Sequence, residues 1–403
     1  MHIVYVSREY PPSRRAGGIA TYLKIVAEGF AARGHKVTVI AANDDTSCEQ
    51  REVSNGVEVV RLAGGDFLIP GAEPSASRLA RLRFLYRFHS YRRRVAAELH
   101  RIPDADVVEV AEYGAEGLYL NGRGVPVVYR LHTPALLDHS DFSLSKLSTA
   151  NALYYYAGRK ELDILRRHAR FVTSCSSSLR EWAVRHAGLD ASRVQVIYNP
   201  LQPDFFHHDA SGQPAEAPER PYVFFAGTIC DWKGAADLVE AVGLLNREGL
   251  SVDLRMAGKS GAFGERLAAE HASDGWLHIL GKLPQQQLKA LYRGAAVVCF
   301  PSWWENMPMV CLEAMSLGAI VVGSDSGGMA EIIEDGKSGY LLPPKRPEAW
   351  AAKIREAMAL TAEQRASISE AARARISSVF SLDSILDSTE QVYRDAIRQS
   401  AKH

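Results

Sequence analysis

Short β-branched and aromatic runs alternate with segments of helical period along this chain, and the alternation lapses once and then restarts. The early runs are HIVYVS (2–7), KVTVIA (36–41), VEVVRLA (57–63), DVVEVA (106–111), VPVVYRLH (125–132), RFVTSCS (170–176) and RVQVIYN (193–199). Several are apolar on successive residues, as strands are when both faces of a parallel sheet are covered. Helical stretches such as TYLKIVAEGFAARG, closed by Gly34, fill the gaps. Between 202 and 220 the pattern gives way to QPDFFHHDASGQPAEAPER, which has the composition of a linker. It resumes with YVFFAG (222–227), VDLRMAG (252–258), LHILG (277–281), AAVVCFPS (295–302) and AIVVGS (319–324), and residues 347–400 read as helix. The expected class is α/β, two doubly wound domains with ligand held at the carboxyl ends of the strands, in the cleft where the domains face each other.

Length agrees with two cores, because 403 residues exceed the roughly 250–300 at which one core stops growing. The expected division is 1–201, 202–381, and a terminal helix of about 382–403 packed back on the first domain. Lys+Arg and Asp+Glu number 47 each, a balance that argues against bulk nucleic-acid binding. Five scattered cysteines without CxxC spacing read as reduced thiols, three of them in apolar runs. MHIVYVSREY turns polar too early for a signal peptide, and no run reaches the ~18 apolar residues of a membrane span. A cytoplasmic location is expected.

The segment PSWWENMPMVCLEAMSLGAIVVGSDSGG (301–328) carries the chemistry. Pro308 stands where a helix begins, Met309 to Leu317 continue it and Gly318 ends it. Glu305 then lies in the loop before the helix and Glu313 more than a turn inside it, so the two are either placed to grip different parts of one extended ligand or are incidental acids on a strand, a capped helix and a strand. Between the two glutamates Asn306, Met307, Pro308, Met309 and Val310 form a helix start whose free N–H groups and positive dipole suit a diphosphate. A carboxylate accepts two hydroxyls at once, which suits a sugar ring or a ribose diol. The order reads sugar, phosphate, ribose.

From Phe300 to Leu342 the chain resembles the retaining glycosyltransferases of family 4, the glycosyl-group-1 type with the two-domain GT-B fold of Rossmann-like halves. The shared signature is E-x7-E followed by EA-M, G-x-x-V-V, S-D-x-G-G, E-I-I and D-G-x-x-G-x-L-L, and weaker echoes cover nearly the whole chain. The resemblance implies that Glu305 contacts the donor sugar and Glu313 the nucleoside ribose. It also implies that Gly327, Gly328, Met329, Ala330 and Glu331 form a nucleotide-facing loop.

Lys233, in FAGTICDWKGAAD, follows a strand and precedes a helix, where its ammonium can reach a diphosphate and stabilise the leaving group. The family usually carries an arginine directly after the strand's glycine. Here Gly227 is followed by Thr228, a donor-side residue without charge, and Arg255 or Lys259 is the candidate substitute. Gly17 and Gly18, in REYPPSRRAGGIATY, let backbone approach a phosphate or sugar and match the family's glycine loop. Arg14 and Arg15 of the same loop face either phosphate, acceptor or solvent. His132 ends a strand at the cleft and corresponds to a family histidine near the transferred sugar, and Asn199 to its hinge-side asparagine, on the acceptor side here.

Two look-alikes lack the context they need. Asp104-Ala105-Asp106 is a D-x-D opening a strand, and AGKSG (257–261) has Asp253 where a P-loop needs glycine. The stretch RLARLRFLYRFHSYRRRVAAELHR (78–101) holds eight arginines against one glutamate. It reads either as a helix packed on the sheet or as a basic amphipathic surface for an anionic membrane or charged acceptor.

The expected reaction is metal-independent, cofactor-free hexosyl transfer with retention, from a nucleotide sugar to an acceptor hydroxyl. UDP is the default base because it is commonest in the family. Acceptor choice is assigned to residues 64–77 and 134–150, and a glycan, a lipid-linked sugar or a small metabolite all remain open. The rival readings are a nucleotide-sugar epimerase or hydrolase, and a non-catalytic nucleotide-sugar binder.

Overall fold

The computed structural model describes residues 1–14, 17–64, 78–120, 124–139, 156–202, 205 and 219–401. The chain divides into two compact units, Met1–Pro200 with Leu382–His403, and Leu201–Ser381. Both are parallel-sheet α/β folds of the Rossmann type. Arg15, most of the 64–77 and 134–150 stretches and most of the 202–220 stretch lie outside the described residues.

The first unit contains β1 (His2–Val6), β2 (Lys36–Ala42), β3 (Gln50–Ser54), β4 (Val57–Leu62), β5 (Val107–Ala111), β6 (Val127–Leu131), β7 (Phe171–Ser174) and β8 (Val194–Val196). Their order is β3-β4-β2-β1-β5-β6-β7-β8, parallel but for β3, which pairs antiparallel with β4. All residues of β1, β5 and β6 are buried. This explains their unbroken apolar character, since helices cover both faces of the sheet. One of those helices is Leu382–Ser400. Arg33 bonds Asp387 at 2.6 Å and Asp383 at 2.9 Å, while the Tyr393 hydroxyl donates to Glu109 on β5 at 2.7 Å.

The second unit contains β9 (Tyr222–Ala226), β10 (Asp253–Ala257), β11 (Leu277–Gly281), β12 (Val297–Phe300), β13 (Val321–Ser324) and β14 (Tyr340–Leu342), in the order β11-β10-β9-β12-β13-β14. All pair in parallel. Its core joins Phe225, Leu238, Val242, Leu254, Met256 and Trp350, all essentially inaccessible to solvent. Truncating Phe225 to alanine costs about 3–5 kcal/mol at a site this closed. Because β9, β12 and β13 are neighbours, the loops leaving their carboxyl ends meet. No helix among the described residues is long and apolar enough to cross a membrane.

The D-x-D acids are accounted for structurally. Asp104 pairs with Lys36 at 2.7 Å, and Asp106 accepts the main-chain N–H of His2 at 2.7 Å. The AGKSG glycine is also a packing requirement. Gly258 has φ +147° and lies so close to Gly227 that a side chain would enter the Gly227 carbonyl.

Candidate active site

After β9 the chain turns through Gly227 (φ +148°) into the short 3-10 turn Asp231–Lys233, and Gly234 (φ +69°) starts the helix Ala235–Arg247. Glycine is required at 234, where any side chain would strike the Pro301 carbonyl of the loop after β12. The same two loops are tied where Trp303 N–H donates to the Trp232 carbonyl at 2.8 Å. The Trp303 indole N–H bonds Asp237 at 2.9 Å, and the Lys345 ammonium lies 3.5 Å from its ring centroid.

This stitching sets Lys233 against Glu305. The ammonium forms an ion pair with Glu305 Oε1, and the Ser302 hydroxyl donates to the same oxygen at 2.9 Å. The Glu305 backbone is fixed from the third loop, where Gly328 N–H donates to the Glu305 carbonyl at 2.7 Å. Gly327, at φ +63°, permits that approach, because a side chain there would collide with the same carbonyl. The three loops thus converge on one residue, Glu305.

The helix Met309–Ser316 begins three residues beyond Asn306, with Pro308 as its cap. Proline contributes no N–H at the point where a helix has no use for one. No side-chain cap closes this end, and the first amides, of Met309 and Val310, have no partner among the described residues. Asn306, Met307, Pro308 and Met309 are buried around it, with Asn306 Oδ1 accepting the Trp304 indole N–H at 2.8 Å. Inside the helix, burial pushes the Glu313 carboxyl up to about 7, with the Tyr292 hydroxyl and Lys289 pulling the other way. Tyr292 bonds Oε2 at 3.4 Å, and Oε1 has no partner among the described residues.

The other expected donor-side positions are more dispersed. Thr228 is exposed in the loop after β9, and the neighbouring Ile229 N–H bonds the Lys259 carbonyl at 2.8 Å, so Lys259 belongs to the same loop cluster. Arg255 is occupied elsewhere. Its guanidinium stacks 4.1 Å from the Tyr222 ring centroid and pairs with Asp253 at 4.0 Å. The Glu331 carbonyl accepts from Arg375 at 2.6 Å.

In the first unit, His132 is buried, its ring edge-on to Tyr22 with centroids 4.9 Å apart. Burial, reinforced by Arg130, holds it well below the usual histidine range, so it is neutral. Its main-chain N–H and that of Thr133 donate to Glu112 at 2.8 and 2.6 Å. Asn199 is buried, and its Oδ1 accepts a hydrogen bond from the Arg130 guanidinium at 3.0 Å. This bond fixes the asparagine from within the core, a support that the sequence did not suggest. Gly17 caps the helix Gly18–Ala32 with extended backbone, and a side chain on Gly18 would meet nothing within 4 Å. The exposed Arg14 donates its main-chain N–H to Asp44 at 2.7 Å. Sequence reasoning overlooked Ser302, Trp303, Tyr292 and Glu112; only "PSWWEN", with a serine three residues before the glutamate, carried a readable signal.

The chain matches the family model "Glycosyltransferase Family 4" over residues 16–205 and the model "Glycosyl transferases group 1" over 208–375. An uncharacterized glycosyltransferase of Methanocaldococcus jannaschii is 26% identical over 370 residues, covering 87% of each chain. Among solved structures, sucrose-phosphate synthase from Thermosynechococcus elongatus superposes with a TM-score of 0.78 at 20% identity, over 99% of both chains. HepE of Anabaena, in complex with UDP-glucose, gives 0.72 at 19% identity over 98% of this chain and 100% of its own. These two structures share the fold.

Proposed function

Since the chain belongs to the group 1 and family 4 glycosyltransferases, we propose that it transfers a hexosyl unit from a nucleotide sugar, a UDP-sugar, to an acceptor hydroxyl with retention of anomeric configuration. The observation that carries this reading is the Lys233–Glu305 pair beside an uncapped helix start, with Glu313 just over one turn inside that helix. UDP-glucose in the related Anabaena structure supports the donor class.

In this reading the diphosphate lies at the amides of Met309 and Val310, where helix dipole and free N–H groups favour an anion. Lys233 moves from Glu305 to the phosphate, and the carboxylate it leaves accepts hydroxyls of the sugar. Glu313 takes the ribose diol through Oε1. The bond from the anomeric carbon to the phosphate oxygen breaks with its electron pair going to the diphosphate. The acceptor oxygen bonds the same face of that carbon, and its proton passes to the departing phosphate oxygen. Lys233 and the helix amides stabilise the charge that develops, the role a fixed set of donors fills best. His132, buried and neutral, is assigned to the sugar side as a hydrogen-bonding group.

Because Lys233 and the amides provide that stabilisation, turnover is expected to persist in EDTA. The deciding experiment is release of UDP from a panel of UDP-sugars, with and without acceptors, and NMR of the product's anomeric proton. Acceptor-dependent release with retained configuration is expected. Turnover of donor alone indicates an epimerase or hydrolase, and binding without release a sensor.

A further inference from the structure

The helix Arg78–His100 behaves as two different halves. From Phe88 onward it is an ordinary packed helix: Phe88, Tyr91, Val95 and Leu99 are buried, and Arg93, Arg94, Ala97 and His100 face outward. In the preceding two turns Leu79, Leu82 and Tyr86 are exposed by 77%, 65% and 73%. Spacings of three and four put these three on one face. They are three of the six large hydrophobic residues exposed among the described residues, gathered on one short surface. Arg83 and Arg87 flank them, both exposed, and neither forms an ion pair among the described residues.

Apolar side chains turned outward in one patch mark an interaction surface rather than ordinary surface variation. The charge beside them selects the partner. Among the described side chains from Leu79 to Arg94 there are arginines and no acid, so the face complements a negative, extended, apolar-backed surface. That combination is what an interfacial helix needs, with leucine and tyrosine below the headgroups and arginine at their level. The location agrees. Tyr86, Arg87 and Arg94 line, with Thr46, Ala63 and Gly64, an open hollow of about 210 Å³ beyond the carboxyl ends of β2 and β4. This is the end at which doubly wound sheets bind their ligands.

We propose that the first two turns of this helix seat the protein on an anionic lipid bilayer, with Leu79, Leu82 and Tyr86 entering the interface and Arg83 and Arg87 against lipid phosphates. The hollow at Arg87 and Arg94 receives a headgroup. The inference does not depend on the transfer reaction, since it uses neither the donor site nor turnover.

Flotation of the full chain with vesicles of pure phosphatidylcholine, and of phosphatidylcholine with phosphatidylglycerol, tests it. Binding is expected on the anionic vesicles alone, and should weaken as salt rises. Reversing Arg83→Glu and Arg87→Glu should weaken partitioning by at least about thirtyfold, from the surface attraction of two arginines. Leu79→Ser with Leu82→Ser should weaken it by about tenfold or more, since the lost area is apolar. Both double variants should melt like the parent, because these side chains are already exposed. Equal binding to neutral and anionic vesicles, no binding to either, or double variants that melt like the parent and still bind normally would each overturn the proposal. A variant that melts early is replaced by Tyr86→Ser, judged by the same standard.

Discussion

The ammonium of Lys233 and the carboxylate of Glu305 are paired although they lie 72 residues apart, in loops leaving adjacent strands. Both are largely shielded, at 17% and 12% exposure, and Ser302 and Gly328 hold the acidic partner in place. A cation and an acid enclosed together in this way form the charged centre of the candidate site.

Lys233→Ala and Glu305→Gln are each expected to lower turnover by about 10²–10³-fold, the range for lost transition-state electrostatics. Steady-state kinetics should show the loss mainly in kcat. Near-parental kcat in both variants removes their assigned roles.

With Glu313 on the ribose as proposed, donor binding is expected to depend on pH. Its carboxyl titrates at about 7 in the free protein because it is buried, and two ribose hydroxyls would favour the ionised form. Donor affinity should therefore fall on acidification, by up to about tenfold per unit below pH 7. The diphosphate of a nucleotide sugar does not titrate in this range, and calorimetry at several pH values reads the effect directly. Stability of the free protein should run the opposite way. A carboxyl raised above its unfolded value favours the fold when protonated, so this contribution declines as pH rises from about 4.5 to 7. Glu313→Gln should flatten both profiles.

Two glycines separate fold from function. Gly327→Ala should lower the melting temperature and the activity together, because φ +63° and the Glu305 carbonyl leave no room for a side chain. Gly18→Ala faces open space on the protein side, so it should melt like the parent and yet raise KM if substrate approaches that backbone. Unchanged kinetics for Gly18→Ala would remove this glycine from the site.

The strands that escaped sequence reading show what limits it. β3 (Gln50–Ser54) is polar and mostly exposed, so no apolar run announces it, although Asn55-Gly56, both at positive φ, is a hairpin signal joining it to β4. β14 (Tyr340–Leu342) is three residues long, too short for a period. The buried parallel strands were legible because covering both faces forces continuous apolar sequence. Glu305, Glu313 and Lys233 could be singled out because loop ends and a proline-led helix start leave local marks. The contacts that position them could not: the Ser302 hydroxyl, the Gly328 amide and the Arg255–Tyr222 stack depend on which strands become neighbours, and no local pattern records that.

The most direct test of the central claim is a crystal structure with a nonhydrolysable UDP-sugar. The expected complex has diphosphate oxygens on the amides of Met309 and Val310 and on the Lys233 ammonium, with hexose hydroxyls on Glu305 and the ribose diol on Glu313. A nucleotide bound elsewhere in Leu201–Ser381, with Lys233 still paired to Glu305 and the helix start unoccupied, would contradict it.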